Sequence, residues 1–325
     1  MKTFRSNRSR GPGIGRRAFS LMELLLAVGI MTVIVAALYG MFHHTQRALR
    51  SNVTQVDVLE VGRATMDVLT RELAQMCASR ARGETNFHTA LSPLLGFGGR
   101  SVAEVAAMYY VTNPPADLSH YQPVVQTLMT GSDKRTNRLQ EVYYLSRYGE
   151  RFIGTSYRVV GATNGVGTLA RFSRELPVKE LVYGQLSSNV LAAAAANYAP
   201  LTEGVIHFRV QPYDTDGFPL EWQTADRLTN RVLYPAVLMR TNLFLYQDRL
   251  ASETTSAFLS NALPSYVEIE LAVVEPRTLD QLRAFAPGSA MAERFLANHA
   301  AQVHLFRQRV AIRQAPPIQA VQALP

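Results

Sequence analysis

The hydrophobic pattern begins with an uninterrupted apolar run near the N-terminus. Leu24 to Phe42 spans 19 residues without a charged side chain. A helix of this length extends about 28 Å at about 1.5 Å per residue, close to the thickness of a bilayer's hydrocarbon core. The sequence therefore predicts one transmembrane helix over residues 19–42.

A second helical pattern follows the apolar run. Apolar residues recur at spacings of three, four and seven, and charged residues occupy the other faces, which is typical of a helix packed on a protein core. The apolar positions are Leu49, Val53, Val56, Leu59, Met66, Leu69, Leu73 and Met76. The pattern predicts that the helix continues over residues 43–82, is softened at Gly62 and ends between Ser79 and Gly83.

Strand patterns begin at about residue 103. Val142–Leu145 and Phe152–Val160 flank a turn at Tyr148-Gly149-Glu150 and predict a hairpin. In Ile206–Gln211 and Val267–Val273, buried-type residues alternate with mostly polar ones. This alternation predicts antiparallel strands with one face in water.

The C-terminal part combines short helices with a final strand. Two helical stretches are predicted around Pro287-Gly288, within Thr278–Ala301, and a less regular strand over Val303–Ile312. Residues 314–325 contain three prolines and are predicted to form a loose tail. These elements predict an α+β fold in which the long N-terminal helix packs on an antiparallel sheet, within a domain over residues 83–313.

Charge and cysteine content exclude several functional classes. The formal net charge is +8, but residues 1–18 hold six bases and no acid, and the remaining 27 bases face 25 acids. The basic character therefore belongs to a short leader and does not indicate a nucleic-acid-binding surface. The single cysteine, Cys77, excludes an internal disulfide, a four-cysteine zinc site and a CxxC redox pair.

The position of the charges also predicts an orientation. All six bases of the leader precede the apolar run, and only Arg47 and Arg50 follow it closely. By the positive-inside rule, the N-terminus lies in the cytoplasm and the bulk of the chain on the far side of the membrane.

Glu23 distinguishes three interpretations of the apolar run. A carboxylate at the start of a membrane helix is costly, and neither a plain anchor nor a secretory signal peptide cleaved after Val35-Ala36-Ala37 has a use for it. A buried carboxylate persists when a cation is supplied to pair with it. The third interpretation is therefore a helix that meets such a cation.

The residues around Glu23 resemble a known processing signal. They are Arg16-Arg17-Ala18-Phe19-Ser20-Leu21-Met22-Glu23, followed by Leu24-Leu25-Leu26-Ala27-Val28. This segment resembles the signal of type IV prepilins and type II secretion pseudopilins, although the family usually has glycine where this chain has Ala18. The resemblance implies that a prepilin peptidase removes residues 1–18 by cutting between Ala18 and Phe19, and that Phe19 is then N-methylated.

Cleavage would supply the cation that Glu23 needs. The new amine of Phe19 would lie one helical turn from Glu23, and the helix macrodipole favours negative charge at that end. Between neighbouring subunits, the amine and the carboxylate would neutralise each other and fix the axial register. Glu23 is therefore the candidate assembly residue.

Shorter blocks resemble J-type minor pseudopilins, which lie near the tip of the type II secretion pseudopilus. The blocks are Met66–Leu73, Glu203–Val210, Trp222 and Leu263–Ile269. They are short and scattered over some 200 residues, so they favour this subtype less strongly than the processing signal favours the family.

Catalytic motifs are absent from the sequence. The chain has no HExxH, GxSxG or GxxxxGK(S/T) pattern, and the glycines of Gly11–Gly15 lie in the leader with no strand before them. Cys77 lies on or beside the apolar stripe of the helix and is interpreted as a packed thiol. Trp222 is interpreted as a buried residue.

Two candidate metal sites are weak. His43 and His44 are adjacent, so they point to different faces of a helix and are interpreted as polar residues at the membrane interface. Asp214-Thr215-Asp216-Gly217 resembles the start of a calcium loop, but the twelfth position would be Ala225 instead of a bidentate glutamate. A turn is favoured, and calcium binding by Asp214 and Asp216 stays open.

These observations predict a structural subunit and not an enzyme. We expect an inner-membrane minor pseudopilin with a periplasmic domain, which assembles with other pilin-like subunits in type II secretion or a related pilus machine. We expect no cofactor, metal, nucleic acid or small-molecule substrate. The alternative is a membrane-tethered periplasmic binding or enzymatic domain without an assembly role, in which Glu23 is not needed.

Overall fold

A computed structural model describes residues 20–81, 84–91, 124–128, 133–181, 185–220, 237–240, 243–248 and 253–313. Ala18, Phe19, Trp222 and the tail over 314–325 lie outside the described residues. The chain divides into two compact units between Val53 and Thr54.

Four α-helices are described. They are α1 Leu21–Leu73, α2 Gln185–Leu191, α3 Pro276–Arg283 and α4 Ala290–Asn298. Pro276 begins α3, where its missing N–H costs nothing, and the Ser289 side chain caps α4 by accepting the Ala292 N–H. The two predicted helical stretches before the last strand are confirmed.

The end of α1 differs from the prediction. The helix ends at Leu73 and not between Ser79 and Gly83. Met76 leaves the helical path to form an isolated bridge with Ser146, and the Cys77 N–H donates to the Leu145 carbonyl at 2.9 Å. Pairing with the sheet therefore replaces the last predicted turn of the helix.

Twelve strands are described. They are β1 Thr85–Leu91, β2 Val125–Thr127, β3 Lys134–Thr136, β4 Gln140–Tyr148, β5 Arg151–Thr163, β6 Val166–Pro177, β7 Ala199–Tyr213, β8 Val237–Arg240, β9 Leu243–Asp248, β10 Glu253–Leu259, β11 Tyr266–Val274 and β12 Val303–Ala311. The predicted hairpin is confirmed as β4–β5, with Gly149 at a positive φ of 58° in its turn. The final strand is confirmed as β12.

Ten of these strands form one antiparallel sheet. Its order is β12-β11-β7-β6-β5-β4-β1-β10-β9-β8, while β2 and β3 form a separate pair. A large antiparallel sheet together with a long N-terminal helix makes the fold α+β, as the pattern predicts.

The C-terminal part of α1 packs on one face of the sheet. Its buried stripe contains Val58, Met66, Leu69 and Leu73, which join the main core with residues of β4, β5, β7 and β11. The predicted stripe is confirmed from Met66 onward but is wrong at Leu49 and Val56, which are each 59% exposed. Val58 lies eight residues before Met66, a spacing that places both on the same side of a helix. Val56 lies ten residues before Met66 and therefore on a different side.

The opposite face of the sheet is also covered, so the predicted wet face is wrong. The α2 helix covers it at Tyr143 and Leu145, and α3 and α4 cover it at Ile206 and Ala272. A bulge causes part of the difference: His207 pairs with Ala272 and Val205 with Val273, which leaves Ile206 as the extra residue. Ile206 therefore joins the second face while Phe208 and Val210 stay in the main core.

Candidate functional site

The N-terminal part of α1 is long and apolar enough to cross a membrane. Leu21–Gln46 spans 26 residues with a mean hydropathy of 2.5, and none of its most apolar window is buried. The Thr32 hydroxyl is satisfied within the helix because it donates to the Gly29 carbonyl at 2.7 Å. An apolar surface of this size needs lipid or another protein around it.

The first turn of α1 holds Glu23 in a capped helix terminus. The Glu23 N–H donates to the Ser20 side-chain oxygen at 3.2 Å, and the Leu24 N–H donates to the Ser20 carbonyl at 3.2 Å. Ser20 followed three residues later by Glu23 is the residue pair of a capping box. The Ser-x-x-Glu spacing is the sequence signal for this cap. Glu23 itself is exposed.

The histidines that the sequence offers as candidate metal ligands do not join other ligands in the described part of the chain. His43 and His44 are both exposed on α1. Among the described residues, no group of three or more His, Cys, Asp or Glu side chains comes together in a way that would hold a metal ion.

The Asp214 carboxylate closes a turn after β7. Its Oδ1 atom accepts the N–H groups of Asp216 at 3.0 Å and Phe218 at 2.7 Å. Gly217 takes the positive φ of 81° that this turn needs. The turn thus has a role for Asp214 that needs no cation.

Cys77 is a buried thiol in a cluster with Tyr143, Leu145 and α2. Burial raises the pKa of this thiol to about 11, although the positive charge of Arg147 opposes the shift. Cys77 therefore stays protonated at neutral pH and is a poor nucleophile. Its predicted position in the core is confirmed, though just after the helix and not on it.

Glu72 joins α1 to three strands. Its Oε2 atom accepts hydrogen bonds from the hydroxyls of Tyr144 at 2.6 Å and Tyr157 at 2.5 Å, and from Arg171 Nε at 3.0 Å. Burial alone raises the pKa of Glu72, but these three donors outweigh it and hold the pKa below its ordinary value. The ionised carboxylate is therefore the stable form and fixes the helix on β4, β5 and β6.

Glu141 lies in a second buried polar cluster, on β4. It accepts hydrogen bonds from the hydroxyls of Ser156 at 3.3 Å and Tyr198 at 3.4 Å, and Arg158 lies 3.9 Å away. Burial raises the pKa of Glu141 to about 7, and the charge of Arg158 only partly opposes it. The Arg158 guanidinium also stacks on the Tyr198 ring at 3.9 Å, so the whole cluster is packed.

A shallow cavity of about 90 Å³ lies where the β5–β6 turn meets α3. Its lining has one charged side chain, Arg283, which pairs with Glu203 at 2.8 Å. Catalysis would need either an acid–base pair or a nucleophile activated by a neighbouring base. A single arginine that is already paired with a carboxylate supplies neither.

No protein-family model, curated protein or solved structure matches this chain. The candidate site therefore rests on the residues themselves. Its parts are the exposed apolar helix, the Ser20 cap and the Glu23 carboxylate in the first turn.

Proposed function

We propose that this chain is a pilin-like structural subunit, a minor pseudopilin of a type II secretion or related type IV pilus-like machine. It assembles with other pilin-like subunits through its N-terminal helix. The observation that carries the proposal is the exposed apolar helix, which begins at Leu21, is capped by Ser20 and holds Glu23 in its first turn. This turn lies within the segment that resembles a prepilin processing signal. The scattered blocks in α1, β7 and β11 favour the J-type within this class.

The proposed topology follows from the charges around the helix. The basic leader over residues 1–18 stays in the cytoplasm, where a prepilin peptidase removes it and methylates Phe19. The helix spans the inner membrane, and the unit that contains the sheet lies in the periplasm. Before assembly, the apolar side chains of the helix are covered by lipid; in the assembly, neighbouring helices cover them.

The proposed role of Glu23 is to pair with the Phe19 amine of a neighbouring subunit. An amine and a carboxylate that meet away from water neutralise each other, whereas either one alone is strongly destabilising there. Pairing at one fixed position along the helix also sets the axial register between subunits.

The Ser20 cap favours one competing function. In a membrane-tethered domain with no assembly role, Glu23 would serve only to stabilise the first turn of its own helix, as the acidic member of a capping box. A tether of this kind needs a capping residue at position 23 but does not need its charge.

Substitutions of Glu23 separate these two functions. Glu23→Gln keeps a capping-box residue and removes the charge, while Glu23→Ala removes both. For a pseudopilin, both variants are cleaved and inserted normally but co-purify with partner pilin-like subunits at least tenfold less. The reason is that an unpaired amine costs ~3–5 kcal/mol if it is fully buried, and a loss of about 1.4 kcal/mol already lowers an association constant tenfold. Ser20→Ala is the control, since it weakens the cap and keeps the charge.

The tether function makes the opposite prediction. Glu23→Gln then behaves as the wild type, and Ser20→Ala and Glu23→Ala both mildly destabilise the first turn of the helix. Recovery of Glu23→Gln protein with its partners at the wild-type yield would therefore reject the assembly role.

A further inference from the structure

Within the described residues, one outer edge of the ten-stranded sheet carries a row of backbone hydrogen-bonding groups that no other strand pairs with. β12 is the first strand in the sheet order, and in the described part of the chain it pairs only with β11. The β11–β12 register runs through nine residue pairs without a bulge. A long, regular edge strand of this kind is a template for another strand.

Two hydrogen bonds at the ends of this pair show which residues face outward. The Glu275 N–H donates to the Gln302 carbonyl at 3.0 Å, and the Ile312 N–H donates to the Ser265 carbonyl at 2.9 Å. Backbone groups in an antiparallel ladder alternate between the two sides of a strand, so even-numbered residues of β12 bond to β11. The groups that point away belong to the odd-numbered residues, which are Val303, Leu305, Arg307, Arg309 and Ala311.

The same edge is positively charged where it meets solvent. The side chains of Arg307 and Arg309 are 59% and 45% exposed, and Arg313 is exposed just beyond the strand. Arg307 and Arg309 both contact the carboxylate of Glu268, which is buried beneath them on β11, and Arg307 also pairs with Glu270 at 3.3 Å. Arg313 lies beyond these pairs, so the three arginines outnumber the two carboxylates. The Glu268 carboxylate is thus covered, and the guanidinium groups form the surface.

Leu305 adds an apolar contact to this edge, with 46% of its surface exposed. Outward-pointing backbone groups are what strand-addition binding sites use, and arginines attract acidic side chains. In such sites the backbone supplies affinity and the side chains select the partner.

We propose that the β12 edge binds an extended acidic segment of another protein as an eleventh strand. The charge of the edge favours acidic side chains opposite Arg307 and Arg309. The inference depends on the edge alone and not on the proposed function of the N-terminal helix.

Two other occupants fit the edge less well. A second copy of the chain, paired antiparallel through β12, would bring the arginines of the two copies side by side, and like charges in this position are destabilising. Residues 314–325 of the same chain contain no acid and three prolines, each of which lacks the N–H that strand pairing uses.

Binding of designed peptides to the detergent-solubilised full chain tests the proposal. The probe is a fluorescent nine-residue peptide of alternating valine and glutamate, and its control alternates valine and lysine. We expect fluorescence anisotropy to show binding of the acidic peptide only, weakened by added salt. On binding, hydrogen exchange should slow at the amides of Leu305, Arg307 and Arg309.

Matched variants separate the backbone and the charge. Leu305→Pro and Leu305→Ala both remove the leucine side chain, but only proline removes an outward N–H, and it leaves the pairing with β11 intact. Leu305→Pro should weaken binding about tenfold more than Leu305→Ala does. Arg313→Gln should weaken binding severalfold, while Arg283→Gln on α3 should leave it unchanged.

Several results would overturn the proposal. These are no binding of the acidic peptide, equal binding of the lysine peptide, and equal effects of the two Leu305 variants. Self-association of the chain that protects the outward amides of β12 without peptide would identify a second copy as the occupant instead.

Discussion

At the scale of single residues, Glu72 links the helix to the sheet through hydrogen bonds. Its carboxylate accepts bonds from residues on three adjacent strands. We expect Glu72→Gln to lower the free energy of unfolding by about 2 kcal/mol, since hydrogen bonds to a charged group are lost and Arg171 is left without its anion. Chemical denaturation of the solubilised chain, followed by near-ultraviolet circular dichroism, measures this.

The control for Glu72 is Glu60→Gln, which changes an exposed acid on the same helix. It should change stability by a few tenths of a kcal/mol at most. The pKa of Glu72 is lowered in the folded state, so its contribution is complete above the ordinary pKa of 4.5 and is lost as pH falls through the lower folded value. Equal effects of the two variants would contradict the anchoring role.

Glu141 gives the opposite pH dependence. Burial raises its folded pKa to about 7 from an ordinary 4.5, so the folded state holds the proton more tightly than the unfolded state. The contribution of Glu141 to stability is therefore most favourable at acidic pH and becomes less favourable as pH rises from 4.5 to 7. Between pH 5 and pH 8, the Glu141 carboxyl should lower the free energy of unfolding of the wild type by an amount on the order of 2 kcal/mol. We expect Glu141→Gln to lack this decrease.

Urea denaturation at several pH values tests this prediction. The control is Glu175→Gln, because Glu175 is an exposed carboxylate that pairs with Arg151 at the surface. Its pH profile should match the wild type. An unchanged profile in Glu141→Gln would mean that Glu141 is already charged in the folded protein.

The sequence predicts some of these residues and not others. Ser20 and Glu23 are three positions apart, so their capping relation can be read from the sequence alone. The partners of Glu72 lie 72 to 99 residues away along the chain. Nothing in the local pattern around Glu72 distinguishes it from an ordinary surface acid, because its role depends on how the strands are paired.

At the scale of elements, α1 and β12 meet at Gly62. A Cβ atom on Gly62 would lie 2.2 Å from two ring carbons of Phe306. The sequence pattern predicts a soft point in the helix at Gly62, whereas the structure shows an aromatic ring approaching the helix backbone there.

Two opposing effects decide the result of Gly62→Ala. Alanine favours the helix by about 1 kcal/mol, but its methyl group displaces the Phe306 ring. We expect the single substitution to destabilise the protein and the same change in a Phe306→Ala background to stabilise it by about 1 kcal/mol. Thermal unfolding of the four variants of this cycle measures the sign, and stabilisation in both backgrounds would contradict the close approach.

The elements differ in how well the pattern predicts them. The β4–β5 hairpin has clear apolar runs and a glycine turn, so its prediction is confirmed. Strand β1 was missed because it carries Asn86 and His88, whose polarity argues against a buried strand. Both side chains form tertiary hydrogen bonds, with Asn86 donating to the Ser260 and Ala262 carbonyls and His88 Nδ1 bonded to the Ser256 carbonyl.

At the scale of the whole molecule, the local sequence pattern predicts the fold class, whereas tertiary contacts determine the strand order and the packing on the second face of the sheet. An apolar run of helical length and several alternating segments are enough for an α+β fold with a long N-terminal helix. The local pattern is not enough to give the order of the ten strands, because three of the nine neighbouring pairs, β11–β7, β4–β1 and β1–β10, join strands that are not consecutive along the chain. The cover on the second face comes from helices that also pack across long sequence separations.

We propose that a prepilin peptidase processes this chain before it assembles. The most direct measurement is the intact mass and N-terminal sequence of the protein extracted from membranes of cells that contain such a peptidase. The account predicts a chain that begins with N-methylated Phe19 and lacks residues 1–18. A chain that still begins with Met1, or one that begins at Leu38 after cleavage behind Val35-Ala36-Ala37, would contradict it.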